Sequence, residues 1–170
     1  MKKTMTLKDL ESKVLVGDTI TREEAEYLAA YPDLDALCDA AERIKREFVG
    51  DLVDSCSIVN ARSGLCGEDC KWCAQSRHYS TGCDQYPMIA EEEMMKAARA
   101  NEREGIRRFS LVTSVRSVSK EDMKEFCRMI RRLADETSLY LCASMGLLDK
   151  ERMQMIADAG IKRYHCNMET

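Results

Sequence analysis

"GIRRFSLVTS", residues 105–114, is the stretch on which the fold turns. A glycine suited to ending a helix leads into a run that reads as a strand over 107–113. The pattern returns in "GIKRY" at 160–164, where a glycine again follows a helical stretch and opens a strand. Around these two points helical and strand-like segments alternate. A helix is expected from about 90 to 104, the strand at 107–113, a helix at 119–135, a strand at 138–143, a helix at 149–159 and a strand at 162–167. Ser119 and Asp149 stand where N-caps are needed, and Gly105 and Gly160 where helices end. "LVDSCSIVNA" (52–61) is β-rich, so four strands are expected, beginning near 52, 107, 138 and 162. Such alternation implies a parallel sheet joined by right-handed crossovers. A small doubly wound sheet and half of an eight-stranded barrel both satisfy the count. A complete barrel takes about 250 residues, and 170 are present. The sequence stops at "YHCNMET" (164–170), just past a strand end where α/β folds bind ligands, and a truncated domain is the expectation.

Residues 1–50 read as helices. "TREE" at 21–24 is a capping box, with Thr21 as N-cap and Glu24 returning the bond, and Pro32 closes that helix. The next helix carries Leu34, Leu37, Cys38, Ala41, Ile44 and Phe48 on one face and ends near Gly50. A net charge of −4 gives no standing affinity for nucleic acid or anionic membrane. "MKKTMTLKDLESK" lacks the apolar run of a signal peptide, and no stretch approaches the ~18 apolar residues that span a membrane. A cytoplasmic location is expected. In that reducing setting, nine cysteines, an odd count, argue against a disulfide framework and for metal binding, redox chemistry or burial. Cys38 and Cys127 fall in helical patterns and are expected to pack.

The long polar loop over 60–87 holds "CGEDCKWCAQS" (66–76), with cysteines spaced C-x3-C-x2-C and no fourth at a matching spacing. It follows the first strand, at the end of the sheet where the other strands also finish. A zinc site wants four protein ligands in paired knuckles, and only one C-x2-C is present. A redox pair at Cys70 and Cys73 leaves Cys66 idle. An iron–sulfur cubane with one iron left open fits best, because three close thiolates cap three corners and the fourth iron takes another ligand.

The triad, with Trp72 before its last cysteine, resembles the signature of the radical S-adenosylmethionine (SAM) superfamily. The longer "NARSGLCGEDCKWCAQSRHYSTG" (60–82), "MGLL" after Cys142 and the final "YHCNMET" resemble its biotin synthase family in particular. The resemblance covers roughly residues 50–170. It implies an α/β fold, about half of a TIM-type (β/α) barrel over 51–170, with a helical N-terminal extension over 1–50. It implies that Cys66, Cys70 and Cys73 hold a [4Fe–4S] cluster whose open iron binds the amino and carboxylate groups of SAM. Trp72 matches an aromatic beside the adenine, and Asn167 and Glu169 match positions facing the SAM ribose and the substrate. The implied activity is sulfur insertion into dethiobiotin through a 5′-deoxyadenosyl radical, forming biotin. An electron donor such as flavodoxin or ferredoxin and a homodimer come with it.

The family also holds an auxiliary iron–sulfur cluster, [2Fe–2S] in the usual pattern, on cysteines of successive strands. Cys142 matches one such ligand, but the position of another is Ser110, and a serine oxygen is a poorer iron ligand than thiolate. The type of that cluster is therefore open. Cys166 is a candidate substitute, and Arg108, beside Ser110, faces either the barrel or the helices. Two alternatives stand beside this reading: another radical SAM enzyme of the same barrel group, and a non-catalytic fragment that binds a cluster.

Overall fold

A computed structural model describes residues 5–167 in two compact units, one ending at Val53 and the other beginning at Asp54. The first holds three helices, α1 (Leu7–Leu15), α2 (Arg22–Ala29) and α3 (Leu34–Val49). Thr21 and Glu24 close the capping box in both directions: Glu24 N–H donates to Thr21 Oγ1 at 3.3 Å and Thr21 N–H to Glu24 Oε2 at 2.7 Å. α1 packs against α3 with Leu10 and Ala40 buried between them, and Arg43 grips Glu11 with two hydrogen bonds of 2.6 and 3.0 Å. The apolar stripe of α3 is only partly used. Leu37 and Ile44 are half-buried, whereas Leu34 (68% exposed), Cys38 and Phe48 are exposed. Cys38 is therefore not a packed cysteine, because one helix of nine residues covers only part of a stripe on a helix of sixteen.

The second unit is a parallel sheet of β1 (Cys56–Arg62), β2 (Arg108–Thr113), β3 (Tyr140–Ser144) and β4 (Arg163–Tyr164). The connecting helices are α4 (Glu91–Arg103), α5 (Lys120–Glu136) and α6 (Lys150–Ala159). Strand order follows chain order, β1-β2-β3-β4. A doubly wound sheet reverses its order at a switch point, whereas a barrel adds each strand beside the last. The sheet is thus an arc of a (β/α) barrel.

Period-two alternation divides its faces. Phe109, Leu111, Leu141 and Ala143 are buried on the helix side. Against them α4 sets Met94, Met95 and Ala98, and α6 sets Ile156 and Ala159. α5 buries Met123, Phe126, Cys127, Ile130 and Leu133, steps of three and four that hold one face of a 3.6-residue helix against the sheet. Cys127 packs there as the sequence suggests. Each fully buried Phe, Leu or Met side chain here stabilises the fold by roughly 1.5–3 kcal/mol. Ser119 and Asp149 cap α5 and α6, each side chain accepting the N–H three residues on, at 3.1 and 2.9 Å.

Helix limits agree with the sequence to within a residue or two, but β4 is two residues long where six were expected. It pairs with β3 alone, Cys142 opposite Arg163 and Ala143 opposite Tyr164. What anchors this edge is Tyr164. Its hydroxyl accepts from Met145 N–H at 3.1 Å and donates to Gly146 O at 2.5 Å. Gly146 itself sits at φ +74, and a Cβ there would lie 2.1 Å from Arg116 O. The turn after β3 is pressed so closely on the segment after β2 that Leu147 N–H donates to Arg116 O at 2.7 Å.

Two predictions follow from these contacts. Gly146→Ala should destabilise the protein by about 3 kcal/mol or more, adding a backbone clash to left-handed strain. Gly105→Ala, at φ +75 but with nothing within 4 Å, should cost only about 1 kcal/mol; denaturant midpoints for the pair separate the two effects. Burial pushes the Tyr164 hydroxyl up from 10.0 to about 12. A raised folded value means that the native state holds the proton longer than the unfolded one, so this contribution is whole below pH 10 and lost as pH rises through 12. Chemical denaturation across that window should show a steeper loss in the wild type than in Tyr164→Phe.

Candidate metal and cofactor site

β1 ends at a bulge, its register slipping between Asn60 and Arg62, which turns the chain out of the sheet. The loop that follows is folded on itself. Ser63 and Tyr86 pair, each N–H donating to the other's carbonyl at 3.1 Å. Within that ring Cys66 N–H donates to Gln75 O and Arg77 N–H to Cys66 O, both at 2.9 Å. Gln75 is the internal strut: its Oε1 accepts from Ser63 Oγ at 3.0 Å and from Gly64 N–H at 2.5 Å. Gly64, at φ +73, sits where glycine is favoured, and a Cβ there would lie 2.6 Å from Gln85 Cγ. Leu65 is also left-handed, at φ +54, without being glycine, a local strain of about 1–2 kcal/mol held by the bonds around it.

Ser76 Oγ donates to Glu68 O at 2.7 Å and accepts from His78 N–H at 3.2 Å. Thr81 Oγ1 donates to Ala74 O at 2.6 Å, and the Tyr79 hydroxyl to Asp69 Oδ1 at 2.6 Å. That bond to Asp69 also raises the Tyr79 hydroxyl above its ordinary value. The "QS" and "Y-x-T-G" that follow the triad are therefore fasteners of its loop, a role that sequence reading did not assign.

Cys66, Cys70 and Cys73 are all partly exposed and line one cavity of about 560 Å³. Cys73 N–H donates to Cys70 O at 3.0 Å, a tight turn within the C-x2-C pair. The cavity lies at the carboxyl ends of the strands: Val112 and Thr113 line it from β2, and Ser144 from β3. Among the described residues no three His, Cys, Asp or Glu side chains converge on a single metal ion. A shared cavity with spread thiols is the arrangement that a polynuclear group asks for, because each thiolate binds a different iron. Soft thiolates are also the donors that iron–sulfur groups take. Two guanidiniums line the same cavity, Arg62, 3.3 Å from Asp122, and Arg116, 3.3 Å from both oxygens of Glu68. Each has five donors, more than one carboxylate occupies, and Arg116 ties the cysteine loop to the segment after β2.

The other expected site residues fall in different places. Asn167 lines the cavity, as does Cys166. Trp72 stands 64% exposed and is not part of the cavity lining. Glu169 lies outside the described residues. Cys142 is buried on the sheet face that the helices leave bare, in a row that runs Ile58, Ser110, Cys142 and Arg163 across the four strands. Burial pushes its thiol up, and the neighbouring Cys56 adds to the rise, while Arg163 and Arg108 pull it back. Arg108 shares this face with Ser110, two residues along the strand, which resolves its direction. It is paired with Asp54 and lies 5.5 Å above the Tyr140 ring. Cys56 was missed as a neighbour of Cys142, although it has the parity of Ile58 and Asn60 on the same strand.

A family model described as the Radical SAM superfamily matches residues 62–170. A biotin synthase of Parabacteroides distasonis is 45% identical over 166 residues, which cover 98% of this chain and 51% of that protein. One of Desulfotalea psychrophila is 49% identical over 164 residues, covering 95% of this chain and 49% of its own. The chain spans about half the length of the curated relatives it matches. Among solved structures, methylornithine synthase superposes with a TM-score of 0.76 over 91% of this chain and 46% of that one, at 19% identity, a likeness of fold alone. With the cysteine loop, the strand ends and the arc of the barrel all inside the matched span, the chain belongs to the radical SAM superfamily.

Proposed function

We propose that the chain carries the cluster- and SAM-binding part of an enzyme of the biotin synthase type, which inserts sulfur into dethiobiotin to form biotin. The observation that carries this reading is the sharing of one cavity by the three triad thiols, at the carboxyl ends of a parallel barrel arc. Relatives named biotin synthase, matched over nearly all of this chain, support the choice of reaction. Cys66, Cys70 and Cys73 would hold a [4Fe–4S] cluster in this cavity, with SAM bound beside it. Together the cluster and SAM supply a radical able to take hydrogen from unactivated carbon.

The work of the protein is to hold and aim. The fastened loop keeps the three sulfurs at one mouth. Arg62 and Arg116 bring positive charge to the cavity that receives a carboxylate. Asn167, offering a donor and an acceptor, faces the ribose and the ureido ring of the substrate, and Glu169 is assigned to the same ligands by its place in the sequence. Trp72 lies against the adenine. Cys142 is a ligand of an auxiliary iron–sulfur cluster, and Ser110 is not, since a protonated hydroxyl is a poor iron donor. An electron donor of flavodoxin or ferredoxin type, a homodimeric state and a cytoplasmic setting belong to the same reading. The last is supported by nine cysteines, none of which forms a disulfide among the described residues.

After anaerobic reconstitution the protein should show the absorption and paramagnetic signals of a [4Fe–4S] cluster, and SAM should shift the reduced signal. Replacing Cys66, Cys70 and Cys73 together by alanine should abolish the SAM-sensitive signal; its survival would sink the assignment. Gln75→Leu, which removes the acceptor for two donors, should speed iron loss to a chelator about tenfold, whereas Gln75→Glu, which keeps an oxygen there, should lose iron at nearly the wild-type rate.

A further inference from the structure

We propose that Cys56, together with Cys142, supplies thiolate ligands to an iron–sulfur group on the sheet face that the helices leave bare, so that β1 replaces the ligand that Ser110 does not provide. The proposal rests on the reading above that an auxiliary cluster exists, and adds to it a second ligand beside Cys142.

Position comes first. Cys56, Ile58 and Asn60 alternate with Ser57, Val59 and Ala61, and it is Val59 and Ala61 that pack into the core under the helices. Cys56 therefore shares its face with Arg108 and Ser110 of β2, with Tyr140 and Cys142 of β3, and with Arg163 of β4. Register makes this a compact patch. Cys56, Arg108 and Tyr140 form one row, and Ser110, Cys142 and Arg163 the next. Adjacent strands are about 4.8 Å apart and adjacent inward positions about 6.6 Å, so the two thiols sit diagonally across Arg108. They are near enough for the charge of one to act on the other. A single ion is too small to join sulfurs on non-adjacent strands, but a cluster, in which different thiolates hold different irons, is not.

Charge and space suit such a group. Thiolate-ligated clusters are anionic. The guanidiniums of Arg108 and Arg163 both stand against the Tyr140 ring, 5.5 and 5.9 Å from its centroid, and both act on the Cys142 sulfur. Cys56 is exposed, whereas cysteines that serve only packing are among the most buried side chains. Ser110, small and directly beside Cys142 in its row, leaves room where a larger side chain would fill the patch.

The test uses the triad variant Cys66→Ala/Cys70→Ala/Cys73→Ala, reconstituted anaerobically with ferrous iron and sulfide, so that only iron bound elsewhere is read. This variant should retain iron and sulfide. Adding Cys56→Ser or Cys142→Ser should lower both at least fivefold, and adding Ser110→Ala should leave them unchanged. Iron content indifferent to Cys56→Ser, or absent from the triad variant altogether, overturns the proposal. Alkylation of the unmutated protein provides a readout that does not depend on any variant folding. Cys56 should react with iodoacetamide in chelator-stripped protein and be protected after reconstitution, and equal labelling in both states also overturns it. A SAM-responsive triad cluster in the unmutated protein keeps the parent reading standing whichever way Cys56 behaves. Loss of that response alongside Cys56-dependent iron would remove the parent reading and leave this site.

Discussion

The position of β2 between β1 and β3 determines where everything else in the second unit can lie. Its parallel register with both neighbours aligns Ser110 with Cys142, and sends the ends of all three strands to one edge. Its alternation places Phe109 and Leu111 under the helices and Arg108, Ser110 and Val112 on the opposite face. A slip of one residue would exchange these sets, exposing the core and burying the charge. The packing of α4, α5 and α6 thus locks in the register on which the chemistry of the other face depends.

The candidate site divides the labour between loop and sheet. Catalytic groups on loops need a rigid support, and here the support is mostly hydrogen bonding, since Cys66, Cys70 and Cys73 are only partly buried. Gln75, Ser76 and Tyr86 fasten the loop internally, while Ser114 Oγ, donating to Gly64 O at 2.8 Å, and Arg116, facing Glu68, join it to the segment after β2. The exposed ion pairs between α4 and α5, such as Arg132 with Glu92, orient helices rather than hold the fold, because charges in water are well screened.

Much of this was legible in the residues. Helices α4, α5 and α6 carry caps and apolar periods that are local properties, and they lie where those signals put them. The triad was legible because its spacing is a property of the loop alone. Other features depend on partners distant in the chain. Cys38 has the periodicity of a packed position, but periodicity does not say whether anything covers the stripe. The β propensity of 162–167 is local, but how many of those residues pair with β3 is not. Cys56 has the right parity on β1, yet its closeness to Cys142 exists only through a register shared by three strands. Glu169 lies outside the described residues, and Trp72 is exposed and outside the cavity lining.

The fastening of the cysteine loop also bears on how the chain folds. Several of its struts join residues 8 to 12 positions apart, as in Ser76 to Glu68 and Ser63 to Gln75, while Tyr86 to Asn60 spans 26 and the link from Ser114 to Gly64 closes 50. Each doubling of a closed loop adds about 0.6 kcal/mol of entropy cost, so the internal struts form at about 1 kcal/mol less than that long-range link. Contacts of short span also form fast. The cradle around the three sulfurs can therefore take shape as a local event, before the crossovers that bring the strands of the barrel arc together are complete.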